Sequence, residues 1–295
     1  MCCASSGSTE SMPASDGQPD TRSDADAQAH STSVDEIWST VSGPPDGPGI
    51  CIVHGSMDRS TGMMRLARRV DHAARVVRFD RRGYGRSRAH PGPFTLAGNV
   101  EDLLAVLDHH LPDRPIHLFG HSYGGDVVLA ASRSLGDRVA SIVVFEPPLS
   151  WMPWWPSGSA KLLTDADGRP TDDTAEAAER FMRRLIGDDR WERLPSRTRT
   201  ERRAEGRALV EELADLRKHP AFDSGDIAVP VLAMCGSRGA DHHRRAAREL
   251  EAMLPGAKAL EVAGARHFGP NTHPDEVAEA WLAHLGVDGL SVGRG

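Results

Sequence analysis

The sequence predicts an α/β fold: a mostly parallel, doubly wound sheet interrupted by an all-helical insertion. Three observations carry this. Short apolar runs, several of them ending at glycine, alternate with segments whose apolar residues recur at helical spacing. Such alternation implies parallel strands covered by helices on both faces. The alternation stops at residue 147 and resumes at Val229, with only helical patterns between.

Residues 1–33 are rich in Ser, Asp, Thr, Gly and Pro. They carry too little apolar surface to offset chain entropy and are expected to be disordered. The expected core comprises 34–146 and 229–288, split by the helical segment 147–228. GICIVHG (49–55) reads as a strand, MMRLARRV (63–70) as a helix and ARVVRFD (74–80) as a strand. Leu96, Val100, Leu103, Leu104, Leu107 and Leu111 share one helical face. A strand runs from Ile116 to Gly120, a helix starts at Gly124, and VASIVVFE (139–146) is again a strand. In the insertion, Ala178, Phe181, Met182, Leu185 and Ile186 form one apolar stripe, and Leu209, Leu213 and Leu216 another. VPVLAMCG (229–236) and AKALEVAG (257–264) are strands. Ala247, Leu250 and Leu254 mark the helix between them, and Val277, Trp281 and Leu285 mark a last one.

The composition narrows the function. The 295 residues carry 42 acidic against 35 basic side chains, a net charge of −7, and 39 % are hydrophobic. A nucleic-acid partner would need a clustered basic footprint, which this balance argues against. The four cysteines show neither a disulfide framework nor a metal-binding spacing, so no metal is expected. No apolar run approaches the roughly 20 residues of a membrane span, and MCCASSGSTESMP lacks the apolar stretch of a signal peptide. A cytoplasmic protein acting on a small molecule, with no nucleic-acid or membrane partner, is the expectation.

Gly120-His121-Ser122-Tyr123-Gly124 reads G-x-S-x-G between a strand and a helix. A nucleophile on so sharp a turn takes strained backbone angles, and glycine two residues to either side removes the collisions. The next amide, at Tyr123, opens the helix, where the dipole favours developing negative charge. A hydroxyl needs a base. Of fourteen histidines, His267 in GARHFGP follows the last expected strand and so reaches the same sheet edge as Ser122. VHGSMD (53–58) ends another strand, and the amide of Ser56 with that of Tyr123 makes a candidate oxyanion hole.

In order along the chain, VHGS, FDRRGYGRS (79–87), GHSYGG and the late G-x-x-H of Gly264 to His267 resemble the α/β-hydrolase superfamily from about residue 37 to 286. The resemblance implies a Ser–acid–His triad, no cofactor, and a helical cap inserted after the sixth strand, where 147–228 falls. It also implies that Asp80 to Ser87 shapes a loop near the site. The family's usual acid follows the seventh strand, and there this chain has Gly239. Two carboxylates stand for that role: Glu146, ending the strand before the insertion, and Asp241, two residues past the gap. Either would orient the histidine and stabilise its charged form.

Serine rather than aspartate as nucleophile favours acyl transfer to water, with esters, thioesters, lactones and amides as substrates. Trp151, Met152, Trp154 and Trp155 open the insertion and are expected either to line an apolar acyl pocket or to pack the insertion on the core. RTRTERRAEGR (197–207) reads as a solvated helix face, with an anion-binding role as its alternative. Two other readings fit the same residues: a cofactor-free lyase, transferase or perhydrolase, and a ligand-binding protein that has lost catalysis.

Overall fold

The computed structural model describes residues 36–158, 171–285 and 293, so the segment 1–33 lies outside the described residues. Seven strands are present: β1 Ser39–Ser42, β2 Gly49–Val53, β3 Arg75–Phe79, β4 Ile116–His121, β5 Val139–Phe145, β6 Val231–Gly236 and β7 Lys258–Val262. They lie in the order β1-β3-β2-β4-β5-β6-β7. β1 runs antiparallel to β3 and every other pairing is parallel. The helices are α1 Met64–Ala67, α2 Leu96–His110, α3 Tyr123–Leu135, α4 Thr174–Ile186, α5 Asp188–Glu192, α6 Ser196–Ala204, α7 Gly206–Asp215, α8 Asp241–Met253, α9 Gly269–Thr272 and α10 Pro274–Leu285.

The period-two alternation of β2 shows how the two faces are filled. Ile50 and Ile52 join Leu66 of α1 and Val277 and Trp281 of α10 in one layer. Cys51 and Val53 join Leu103 of α2, Val127 of α3 and Leu250 of α8 in the other. All five residues of β2 are buried, as expected for a strand covered on both sides.

Two elements differ from expectation. β1 reads Ser-Thr-Val-Ser and is half-buried throughout, because an edge strand needs little apolar surface and leaves little pattern. The helix expected over 63–70 is regular only for α1. Beyond it, Arg69 and Val70 donate to carbonyls three residues back and Asp71 and Ala74 to carbonyls four back. This irregular winding still buries Val70 and Ala74.

Between β5 and β6 the chain leaves the sheet for α4 to α7. Asp173 caps α4 by accepting from the Glu176 amide at 2.9 Å. Ala178 and Met182 of α4 pack with Trp191, Leu209 and Leu213, and this cluster reaches Met57, Tyr84 and Phe94 of the sheet domain. The fastening is polar and buried. Glu212 of α7 accepts from Arg81 Nη1 at 2.8 Å and from the Tyr84 hydroxyl at 2.6 Å. Both partners of the ion pair are essentially fully buried. Burial acts against the Arg81 charge, and Glu212 beside it, with Tyr84 and Tyr123, outweighs that and holds the guanidinium above its usual range.

Candidate active site

The carboxyl ends of β2, β4, β5, β6 and β7 meet at one edge, the position where open parallel sheets bind ligands. At β4 the chain turns into α3 through Ser122, whose backbone sits at φ 51° and ψ −129°. The flanking glycines have the reason expected of them. A Cβ on Gly120 would lie 2.4 Å from the Gly124 carbonyl oxygen, and one on Gly124 would lie 2.3 Å from that of Val53. The turn is held by the Ser122 amide donating to the Phe145 carbonyl at 2.9 Å. Tyr123 is the first residue of α3, so its amide has no carbonyl one turn earlier in the helix to take it.

Among the described residues, four non-glycine residues have positive φ: Met57, Asp113, Ser122 and Glu146. Three of them follow β2, β4 and β5 at this edge. Strain of that kind persists only where surrounding structure enforces it, and it gathers at working sites.

Glu146 is fully buried, and its carboxylate is used twice. Oε1 accepts from the Gly236 amide at 2.9 Å. Oε2 lies 2.7 Å from His267 Nδ1. With Nδ1 donating, Nε2 of His267 is left as the acceptor. The side chain of Asp241 is 94 % exposed and pairs with Arg244 in the first turn of α8. Gly239 leaves room for Glu146: a Cβ there would stand 2.5 Å from Glu146 Oε1. The carboxylate arriving from β5 occupies the space a side chain at 239 would need. Gly239→Ala is therefore expected to lower kcat about 100-fold, the cost of an ångström-scale misplacement, with circular dichroism unchanged. Steady-state kinetics check this, and unaltered turnover would mean that the position of Glu146 does not matter.

Ser56, Ser122, Glu146 and His267 line one pocket of about 360 Å³. Its apolar wall includes Trp155, Phe181, Leu185 and Leu213. Of the tryptophans expected there, only Trp155 lines it. Trp151 packs edge-on against Phe222, and Arg245 lies over Trp154. The arginines of 197–207 are largely spent on carboxylates: Arg197 on Glu201, Arg199 on Glu192, Arg203 on Glu179 and Arg207 on Glu211.

Sequence reading passed over His121 and His243. The His121 ring donates from Nε2 to the His267 carbonyl at 2.7 Å, fixing the loop that carries the histidine. His243 stacks on His267 with ring centroids 4.9 Å apart and an interplanar angle of 27°. Its Nε2 is 3.8 Å from Glu146 Oε2. Its signal was place rather than type: the first turn of α8, which follows β6, lies beside the loop after β7. Burial first, then the neighbouring histidines, holds His243 well below the usual histidine range. Burial first, then His267, lowers His121 to about 3.

The His121 shift has a consequence for stability. Between about pH 3 and 6.5 the unfolded chain binds a proton at His121 that the native state refuses, so stability falls as pH drops through that window. The contribution is about 1.4 kcal/mol per pH unit. His121→Gln is expected to flatten the slope of unfolding free energy between pH 6 and 4 by about that amount. Denaturant titrations across the window check it, and an unchanged slope would contradict a neutral His121.

Glu146, His243 and His267 bring one carboxylate oxygen and two ring nitrogens within 4.8 Å of one another. Ligands on tetrahedral zinc sit roughly 3.3 Å apart. The 2.7 Å between Glu146 Oε2 and His267 Nδ1 is a hydrogen-bond distance.

The family model described as "Alpha/beta hydrolase family" matches residues 52–280. The chain belongs to the alpha/beta hydrolase family. A probable oxidoreductase of Mycobacterium tuberculosis, EphD, is 35 % identical over 111 residues, which is 36 % of this chain and 19 % of that protein. This chain thus spans about a fifth of that relative's length. Esterase YbfF of Escherichia coli is 24 % identical over 247 residues, covering 80 % of this chain and 92 % of YbfF. Among solved structures, a hydrolase from Pseudomonas aeruginosa PA01 superposes with a TM-score of 0.67 at 24 % identity, over 85 % of this chain and 94 % of that one. Such a likeness speaks for the fold. No helix among the described residues is long and apolar enough to cross a membrane.

Proposed function

We propose that the protein is a serine hydrolase that cleaves an ester bond of a small substrate through an acyl-enzyme, with Ser122, His267 and Glu146 as its triad. The observation that carries this is the 2.7 Å contact between buried Glu146 and His267 Nδ1, at a pocket that both His267 and Ser122 line. In the acylation step Ser122 Oγ bonds to the carbonyl carbon and its proton passes to His267 Nε2. The amides of Ser56 and Tyr123 receive the oxyanion. Collapse expels the alcohol, which takes the proton from Nε2. Water then repeats the sequence on the acyl-serine and releases the acid. The Glu146 carboxylate offsets the imidazolium charge.

Trp155, Phe181, Leu185 and Leu213 give the substrate's body an apolar wall. The helices α4 to α7 serve in this reading as a cap over the sheet edge, supported by the pocket residues that α4 and α7 supply. A cytoplasmic location belongs to the same reading, supported by the buried free thiols of Cys51 and Cys235.

The test is a stopped-flow burst. With p-nitrophenyl acetate the wild type should release one equivalent of p-nitrophenol faster than its steady rate, and Ser122→Ala should release none. Steady turnover surviving in Ser122→Ala would overturn the reading.

A further inference from the structure

We propose that the substrate carries an anionic oxygen group, a carboxylate or a phosphate, beside the bond that is cleaved, and that arginines of the pocket hold it. This rests on the hydrolase reading and names its substrate class.

Among the described residues four arginines line the pocket of Ser122 and His267: Arg184, Arg238, Arg266 and Arg217, the last of which is engaged within the protein. Among the described residues one carboxylate, Glu146, lines it with them, and both its oxygens are engaged within the protein. The excess is local, because the chain as a whole has a net charge of −7.

The contrast along α4 is the informative part. Arg180 pairs with Glu176 and Arg183 with Glu179, Asp188 and Glu192. Arg184, the next residue and the one that lines the pocket, has no carboxylate within ion-pair distance among the described residues. Neither has Arg238, in the loop after β6, nor Arg266, immediately before His267. Among the described residues, most arginines of α4 and α6 pair with a carboxylate, and Arg184 does not.

Arginine is suited to this task. Its planar fork takes a carboxylate or phosphate by two parallel hydrogen bonds, and its charge persists at every working pH. Arg266 and Arg238 arrive on the loops that also carry His267 and the Gly239 gap for Glu146. Both loops border the pocket that Ser122 lines. Trp155, Phe181 and Leu185, which line the same pocket, fit an apolar spacer. The substrate is thus a small amphiphilic ester, with an apolar body and an anionic end.

The experiment uses matched ester pairs. On the leaving-group side these are the acetyl esters of 3-hydroxybenzoate, of 3-hydroxyphenyl phosphate and of methyl 3-hydroxybenzoate. On the acyl side they are mono-p-nitrophenyl glutarate and its methyl ester. Background hydrolysis is subtracted with Ser122→Ala. At low ionic strength an anionic member should exceed its neutral partner in kcat/KM by about 10-fold or more, and 0.5 M salt should shrink that ratio. The carboxylate and phosphate arms show which anion is preferred. In Arg184→Gln/Arg238→Gln/Arg266→Gln the ratio should fall toward one. Calorimetry of the same esters with Ser122→Ala reads binding without turnover, and the anionic ester should bind about 10-fold tighter there too. Burst activity with no preference for any anionic ester would overturn the proposal and leave the hydrolase reading standing. Preferential binding without turnover would do the reverse.

Discussion

Glu146→Gln is expected to lower kcat by about 10,000-fold on any accepted ester, with the fold intact. Two donors converge on this side chain, the Gly236 amide and His267 Nδ1, at 2.9 and 2.7 Å. A carboxylate accepts both. An amide has one oxygen and one NH2, so it satisfies only one donor. If its oxygen stays with Gly236, its NH2 faces Nδ1 and forces the imidazole proton onto Nε2. His267 then meets Ser122 as a donor and cannot take its proton. The negative charge that offsets the imidazolium is lost as well. Asp241→Asn is the comparison, with kcat expected within twofold of wild type because Asp241 faces solvent and bonds Arg244. Steady-state kinetics of the two variants decide the acid. Loss in Asp241→Asn with retention in Glu146→Gln would assign the role to the other carboxylate.

Glu212→Gln is expected to cost about 3–5 kcal/mol of unfolding free energy, the penalty for leaving a buried charge without its partner. The stranded charge would be Arg81, and Arg81 has other duties. Its Nε donates to the His54 carbonyl at 3.0 Å, and its backbone amide donates to His54 Nε2 at 2.9 Å. His54 stands two residues before Ser56. One ion pair therefore ties α7 to the loop that would hold the oxyanion, and activity should fall along with stability. Urea titration measures the cost. A change below 1 kcal/mol would show that the pair does not fasten the helices. Arg81→Met/Glu212→Leu should recover part of the loss, since both charges leave together.

The sheet was legible because buried parallel strands write continuous apolar runs, as GICIV and VLAMCG do. The turn at Ser122 was legible because only glycine fits at 120 and 124. β1 was not, since an edge strand with one valine in four residues resembles a loop. Glu146 and Asp241 were inseparable as types and near-equivalent by position. What separates them is the 2.5 Å between the site of a Gly239 Cβ and Glu146 Oε1, a fact of space rather than of pattern. The pocket arginines were hidden for a similar reason. In sequence Arg183 and Arg184 are neighbours of one kind, and their roles divide only when α4 turns one toward Glu179 and the other toward the pocket. The dense run 197–207 is the conspicuous one in sequence, and there the charges answer one another.

Intact mass after exposure to a fluorophosphonate, for wild type and Ser122→Ala, tests the central claim most directly. The reagent bonds only to a serine whose proton is drawn off by a working base in a formed oxyanion hole. One added phosphonyl group on the wild type and none on Ser122→Ala is the predicted result. No addition to folded wild type, or equal addition to Ser122→Ala, would contradict the triad of Ser122, His267 and Glu146.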